Sequence, residues 1–427
     1  MALLKTSNGV YVNIIPSDKF TGNLISLYFI FPLDNMTSTN SLLAKVLEHS
    51  NGKFRTPEVL NEELELNYGA DLYVSCGMKG ERQVIKFTLS FIKDSYALNG
   101  EKIADNMADL LYNIIRNPLL EGNFFNKDVV SVEKQNLKDL ILSRINNKRS
   151  YAITRCREKM CENEDYGKDG VGTIEEIEKI TDAQLYEHYN SFLNKSDVVL
   201  QFIGDFSESF AFSLANRIFP EKRASEYSLG INIIKNSLKT KEFEEQLNVN
   251  QSVLVLGYRI GIEYPYQDRY AYLLMNSILG GGTSSLLFKN VREKLSLCYF
   301  CASSLDSLKG IMFVYSGIAA ENKEKTINAV KEQIKTLITG GVTEEELKAA
   351  KADIETQYKK IYDSQASMDS YLFSGFFSES PTSIDEIIEN VKKIELPDVV
   401  AVAKKLSLDT IYFLTGLSKG DESHEQG

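Results

Sequence analysis

One helical segment in the first half of the chain carries polar residues with the spacing of a metal-hydrolase site. In residues 41–49, Lys45, Glu48 and His49 share one side of the predicted helix, and apolar residues share another. The pattern H-x-x-E-H places two histidines so that both bind one zinc ion while the glutamate between them acts on zinc-bound water. Lysine stands here in place of the first histidine. The segment therefore predicts a zinc site that has lost a ligand.

The chain has few histidines with which to rebuild such a site. Of its 3 histidines, His188 lies in a polar helix where a structural role is expected, and His424 lies in a polar C-terminal tail. One imidazole is a poor zinc site, so we expect this chain to bind no metal. The Lys45 ammonium lies within reach of Glu48, which suggests an ion pair that keeps the glutamate ionised. A lysine that faces solvent is the alternative.

A second candidate group lies in the other half of the chain. Arg292 lies in a charged helical run, residues 289–294, and Tyr299 lies in the apolar, strand-like run that follows. A guanidinium can grip a carbonyl or carboxylate group with paired donors, and a phenol can donate a hydrogen bond to a developing oxyanion. The plain alternatives are a solvated helix face for the arginine and a core or sheet position for the tyrosine.

Consecutive glycines precede this second group. Gly280, Gly281 and Gly282 follow a helical run, and no Gly-Lys-Ser/Thr sequence comes after them. A phosphate-binding loop is therefore not indicated. We expect the glycines to stop the helix and to form a flexible loop.

Composition narrows the class of protein. The net charge of −11 argues against nucleic acid as a partner, and no apolar run is long enough to span a membrane. The N-terminal residues lack the regions of a signal peptide, and the 5 cysteines are scattered as reduced thiols would be, so a cytoplasmic protein is predicted. Cys298 and Cys301 are spaced like a redox pair, but such positions in a strand point to opposite faces, which favours buried thiols.

The elements that position these residues occur twice along the chain. A β-rich run at 24–31 leads into the helix at 41–49, and a β-rich run at 253–260 leads into a helix at 270–279. Each helix is followed by glycine. A strand closed by glycine also ends each copy, so the order of elements predicts an internal duplication.

We therefore predict two homologous domains. The first covers residues 1–220 and the second covers residues 239–427. The segment between them, residues 221–238, is charged and weakly periodic, as a linker is expected to be.

The predicted architecture of each copy is α+β. Two β-rich segments at 70–76 and 83–91 are joined by a short turn, which makes them antiparallel neighbours. Long amphipathic helices at 101–115, 127–146 and 344–362 are expected to cover one face of a sheet. The fold class predicted is an antiparallel sheet covered by helices, made twice.

These motifs resemble those of the M16 metallopeptidase family, the group of insulinase, pitrilysin and mitochondrial processing peptidase. The resemblance covers nearly the whole chain. Its landmarks are residues 47–49, 117–119, 155–160, 165–167, 278–282 and 291–294. It implies a clam-shaped pair of domains, in which the loop of Gly280, Gly281 and Gly282 borders the path of a peptide substrate.

The resemblance also identifies a second lost ligand. Active members have a third zinc ligand, a glutamate, in a helix of the form E-K-x-x-x-x-E-E, and the matching helix here begins at Glu133. The ligand position is then Leu140, and Asp139 is the nearest carboxylate. The spacing from His49 is longer than is usual in the family, so the register of this helix stays open.

The resemblance implies a role in a two-chain peptidase. In active members an arginine and a tyrosine from the second domain, here Arg292 and Tyr299, approach the zinc site of the other half. A chain with a broken metal half and an intact arginine and tyrosine matches the non-catalytic subunit of such peptidases. It would contribute these two residues in trans to a zinc-bearing M16 partner that cleaves peptides, in a heterodimer or a homodimer.

Other functions remain open from the sequence. The chain could be a structural scaffold, or a chamber that binds peptides without cutting them. An active single-chain zinc endopeptidase is opposed by the histidine count.

Overall fold

The computed structural model of the protein describes residues 4–223, 232–262, 268–377 and 382–416. His424 and part of the predicted linker lie outside the described residues. The helices are α1 (Thr37–His49), α2 (Pro57–Leu66), α3 (Ile103–Arg116), α4 (Lys127–Ser143), α5 (Lys148–Met160), α6 (Ile174–Lys179), α7 (Asp182–Lys195), α8 (Glu208–Ile218), α9 (Arg269–Gly280), α10 (Lys323–Thr339), α11 (Glu344–Ile361), α12 (Gln365–Gly375), α13 (Ile384–Lys393) and α14 (Leu396–Ala403). The strands are β1 (Leu4–Lys5), β2 (Tyr11–Pro16), β3 (Gly22–Pro32), β4 (Asp71–Lys79), β5 (Arg82–Ile92), β6 (Leu120–Glu121), β7 (Phe124–Phe125), β8 (Asp197–Gly204), β9 (Lys241–Leu247), β10 (Ser252–Arg259), β11 (Cys298–Asp306), β12 (Ile311–Ile318) and β13 (Ser407–Gly416).

The first compact unit comprises Met1–Ser143, Lys168–Gly230 and Ser364–Phe377. Its sheet has the order β1-β2-β8-β3-β5-β4. Strand β3 is apolar along nearly its whole length because both faces of the sheet are covered there. Helices α1, α3, α7 and α8 contribute to the main core on one face, and Met368 and Leu372 of α12 pack on the other face.

The second compact unit comprises Arg144–Gly167, Ile231–Asp363 and Ser378–Gly427. Its sheet has the order β11-β12-β10-β13-β9, with α9 and α14 in the core on one face. Helix α5 packs on the other face of β10. A Cβ atom at Gly257 would lie 2.7 Å from the sulfur of Met160, so a larger residue there would require the Met160 side chain to move.

The two sheets share one topology. In the first, β2 and β8 are parallel and every other described pairing is antiparallel; in the second, β9 and β13 form the parallel pair. Read from β2 or from β9, the strands follow the same order of connections. The predicted α+β class, with two helix-covered sheets, is confirmed. The single parallel pair in each sheet is the departure from a purely antiparallel design.

The compact units do not follow the order of the chain. Helix α5 precedes the predicted linker but belongs to the second unit, and α12 follows the linker but belongs to the first. The division at residues 1–220, 221–238 and 239–427 describes the sequence copies and stays a prediction. No helix among the described residues has the length and hydropathy needed to cross a membrane.

Candidate functional site

Helix α1 carries the altered metal-binding motif along one side of a cleft in the first unit. Its apolar residues, including Leu43, Val46 and Leu47, are buried in the core. Lys45, Glu48 and His49 are therefore directed away from the core, because residues three and four positions apart share a helix face.

The cleft has a volume of about 610 Å³ and is bordered by α1, α2, α4 and β4. Its lining includes Lys45, Glu48, His49, Glu133 and Leu140. The structure thus brings together all the remnant residues identified from the sequence. Asp139 is exposed on α4, where it accepts a hydrogen bond from Gln135, and it is not part of the lining.

Lys45 and Glu48 form the ion pair expected from their spacing. The Lys45 ammonium lies 2.7 Å from Oε2 of Glu48 and also donates to the Val74 carbonyl at 2.9 Å. The Val74 N–H donates to Oε1 of Glu48 at 2.9 Å. Burial lowers the pKa of Lys45, but the Glu48 carboxylate more than offsets this effect and the net pKa is raised. Lys45 is therefore a charged group anchored to β4, and the solvent-facing alternative is wrong.

His49 faces the carboxylate of Glu133, the residue at which the E-K pattern of α4 begins. Nε2 of His49 lies 3.9 Å from Oε1 of Glu133, whose residue is 7% exposed. Burial raises the pKa of Glu133, although Asn136 and His49 act in the opposite direction. Glu133 and Leu140 line the same cleft because seven residues make about two turns of helix. In the sequence, the only indication of this contact was the glutamate at the start of the E-K pattern.

These residues do not fit a zinc ion. An ammonium group has no lone pair to give, and the apolar side chain of Leu140 supplies no ligand either. The thiol of Cys76 on β4 is no ready substitute, because burial raises its pKa to about 11 and it stays protonated. Within the described ranges, no three His, Cys, Asp or Glu side chains are grouped so as to hold a metal ion.

In the second unit, Arg292 lies in a π-helix (Leu287–Lys294) and Tyr299 lies in β11, the strand that follows it. The Arg292 guanidinium stacks over the Phe288 ring at 4.6 Å, and its side chain is 40% exposed. Tyr299 is 70% exposed because it is the extra residue of a β-bulge. Tyr299 is thus not a core residue, and the bulge directs it towards solvent.

The three consecutive glycines lie where the end of α9 packs closely against its neighbours. Helix α9 ends at Gly280, as the sequence predicts. A Cβ atom at Gly280 would lie 2.4 Å from the Ser303 backbone nitrogen, and one at Gly281 would lie 2.7 Å from Cα of Ser277. Both positions need glycine for close contact, whereas Gly282 has only a carboxylate oxygen of Asp353 nearby.

Comparisons with known proteins identify the family. The model of the M16 peptidase inactive domain matches residues 179–354. Over 412 residues the chain is 30% identical to the probable inactive metalloprotease YmfF of Bacillus subtilis, with 96% of each chain covered. The chain belongs to the M16 peptidase family.

Other M16-like similarities agree with this assignment. An uncharacterized zinc protease of Bacillus subtilis, YmxG, is 25% identical over 57% of this chain and 59% of its own length. A conserved protein from Enterococcus faecalis has a crystal structure with a TM-score of 0.88 at 25% identity, covering 96% of this chain and 97% of that one. The M16 inactive domain from Pseudomonas fluorescens shares the fold with a TM-score of 0.76 at 20% identity, over 98% of both chains. The protein is therefore an M16-like homologue of inactive metalloproteases.

The remaining described histidine has a structural environment in this M16 fold. Nε2 of His188 hydrogen-bonds to Oδ1 of Asn40 at 2.6 Å, which ties α7 to α1. Burial lowers the pKa of His188. His188 lines a different cleft from Glu48 and His49, so it does not replace the missing ligand.

Proposed function

We propose that this M16-family protein is the non-catalytic subunit of a two-chain zinc peptidase. The observation that carries the proposal is a contrast between two sites. The remnant site holds the Lys45 ammonium against Glu48, whereas the second unit presents Arg292 and Tyr299 to solvent. In this proposal the chain has no metal-dependent chemistry of its own. It supplies two accessible groups that are suited to binding substrate.

The two groups have separate tasks. Arg292 carries a fixed positive charge with several donors, and it binds a substrate carbonyl or a terminal carboxylate. The Tyr299 phenol donates a hydrogen bond to the oxygen that becomes negative when the peptide carbonyl is attacked. The zinc-bearing partner supplies the activated water for that attack.

The first unit offers a place for an extended peptide. Strand β4 is at the edge of its sheet and borders the cleft through Leu72. An edge strand binds an added strand through its outward backbone groups. In β4 those of Val74 already bond to Lys45 and Glu48, so an added peptide would pair with the rest of the strand. The peptide substrate is recognised there mainly through its backbone.

The proposed assembly is a heterodimer with an M16 chain that keeps a complete H-x-x-E-H motif. A cytoplasmic location suits the acidic composition and the reduced cysteines. A homodimer would lack the zinc ligands in both copies, which is why the heterodimer is preferred.

The test is reconstitution with the M16 protein encoded nearest in the genome that has a complete motif. Each chain and the mixture are assayed for peptide turnover and zinc content. The mixture should cleave peptides, this chain alone should not, and zinc should be found in the partner. Pairing without turnover would favour the scaffold alternative instead.

Variants then test the shared site. Arg292→Ala and Tyr299→Phe should each lower turnover of the mixture roughly tenfold or more, as loss of an oxyanion donor does. Lys294→Ala and Tyr96→Phe remove similar exposed groups and should leave turnover unchanged. Unchanged turnover in both test variants would sink the proposal.

A further inference from the structure

Cys298 and Cys301 lie on the same side of strand β11. Residues three apart in a regular strand point to opposite faces. Here Cys298 pairs with Ile318, Phe300 pairs with Gly317 and Cys301 pairs with Ser316, so Tyr299 is an added residue. This slip of one residue places both side chains on the face that packs against the core of the second unit. The expectation that the thiols point to opposite faces is therefore wrong.

The bulge is held in place by its neighbours. Phe300 lies over Gly317, where a Cβ atom would come within 2.4 Å of the ring. The guanidinium of Arg149 stacks on the same ring, at 4.5 Å from its centre. These contacts hold Phe300 in place. The bulge that puts Cys298 and Cys301 on one side of β11 is therefore part of the packed structure.

The two thiols have different environments. Cys301 is 5% exposed, whereas Cys298 is only half-buried. The hydrogen bond from Cys301 lowers the pKa of Cys298, and the charge of Arg292 acts in the same direction. The same hydrogen bond and burial raise the pKa of Cys301. An accessible thiol that ionises more readily, next to a buried one, is the arrangement of an attacking and a resolving cysteine.

We propose that Cys298 and Cys301 form a redox modification site that reacts with low-molecular-weight disulfides. The Cys298 thiolate attacks one sulfur of the disulfide RSSR, forms a mixed disulfide and releases RS⁻, which takes up a proton. The Cys301 thiol then loses its proton, attacks the sulfur of Cys298 and releases the second RS⁻. Two protein thiols are oxidised to one disulfide, and RSSR is reduced to two RSH.

The disulfide would enclose Tyr299 within a small covalent ring. This links the redox state of the pair to the position of the Tyr299 phenol, and that link rests on the proposed function. The modification chemistry itself requires only this chain. The two claims can therefore be tested separately.

The first experiment treats the isolated full-length chain with oxidised glutathione, followed by acid quenching and alkylation. Trypsin cleavage after Lys294 and Lys309 gives a peptide whose cysteines are Cys298 and Cys301 alone. Mass spectrometry should find this peptide lighter by two hydrogen atoms, and dithiothreitol should restore both thiols. The Cys76→Ser variant is the matched control and should behave like the unmodified sequence.

Single variants test the assigned order of attack. Cys301→Ser should stop at a glutathione adduct on Cys298, and Cys298→Ser should lose the reaction. If the unmodified chain keeps both thiols, or accumulates the adduct as Cys301→Ser does, the proposal is overturned. Because the main measurement uses the unmodified chain, it does not depend on the folding of a variant.

The second experiment adds the oxidised chain to the zinc-bearing partner. Turnover should fall and return on reduction, and the Cys298→Ser chain should not respond to glutathione. Disulfide formation without any change in turnover would overturn the link to Tyr299, while the modification site would stand. Failure of the mixture to cleave peptides would overturn the proposed function alone.

Discussion

The ammonium of Lys45 lies 2.7 Å from the carboxylate of Glu48, on the helix face where a zinc-binding chain would have its first histidine. The same carboxylate accepts the Val74 N–H, so the pair joins α1 to β4. A positive side chain thus occupies the region where a metal charge would otherwise be. The altered motif thus forms a structural contact between α1 and β4 in addition to lacking a metal ligand.

Restoring two ligands should restore metal binding. In the double variant Lys45→His and Leu140→Glu, two imidazoles and a carboxylate would border one cleft, which is a sufficient protein ligand set for zinc. We expect about one zinc ion per chain to remain after dialysis, measured by elemental analysis. The matched control is Lys45→Gln with Leu140→Gln, which should bind none. Equal zinc in the double variant and the control would show that the two positions do not converge.

Replacing Glu133 by glutamine should stabilise the protein near neutral pH. Burial raises the pKa of Glu133 from its ordinary value of 4.5, so in the window above 4.5 the folded state holds a proton that the unfolded state has released. Stability therefore falls as pH rises through that window. Glu133→Gln should remove this fall. Urea unfolding at a series of pH values from about 4 to about 8 measures it.

The control for this prediction is Asp139→Asn, an exposed change on the same helix. It should leave the pH profile of stability as it is. A Glu133→Gln variant that is less stable than the unmodified protein at neutral pH would show that the ionised carboxylate is stabilising.

Loss of the Asp369 carboxylate should release α12 from the first sheet. Asp369 is fully buried and accepts hydrogen bonds from Tyr28 at 2.7 Å and Gln201 at 2.6 Å, and Lys86 lies 2.6 Å away. Asp369→Ala removes the acceptor of the Tyr28 hydroxyl and the counter-charge of Lys86, and should cost about 3–5 kcal/mol of unfolding free energy. Urea unfolding measures the cost. Ser370→Ala, next to it and exposed, should stay within about 0.5 kcal/mol of the unmodified protein.

A similar loss is expected for Glu164 in the second unit. Its carboxylate lies 2.6 Å from Arg259 and 2.6 Å from Lys309, and all three side chains are almost completely buried. Burial acts to raise the pKa of Glu164, but the two cations outweigh it and the pKa is lowered. Glu164→Gln removes the negative charge that Arg259 and Lys309 share, although Arg259 keeps Asp409 at 3.0 Å, and should cost about 3–5 kcal/mol.

The sign of the pH dependence of Glu164 follows from its lowered pKa. Its contribution to stability is present above the unfolded pKa and is lost as pH falls through the folded pKa. Acid titration of the unfolding midpoint should show this loss in the unmodified protein and not in Glu164→Gln. Glu242→Gln, an exposed change on β9 of the same unit, should follow the unmodified protein.

Much of the fold was predictable because its signals are local. Helix α11 begins at a capping box formed by Thr343 and Glu346, a local pattern of the sequence, and α1 and α9 end close to where the pattern places their ends. The repeated order of strands and helices follows from periodicity along the chain. The lysine in place of the first histidine could also be recognised from the sequence, because the motif fits within two turns of one helix.

The remainder depended on contacts between distant segments. The meeting of His49 with Glu133 requires α1 and α4 to pack together, and the docking of α12 requires a buried partner set for Asp369 on another part of the chain. No local pattern specifies such pairs. The sequence by itself therefore indicated the repeated order of α+β elements and the lysine at the first position of the altered motif, because spacing along one helix or strand is enough to define them. Only the tertiary structure decided that Glu133 faces the remnant site and that Cys298 meets Cys301, because a packed helix pair and a slip of one residue in strand pairing set those contacts.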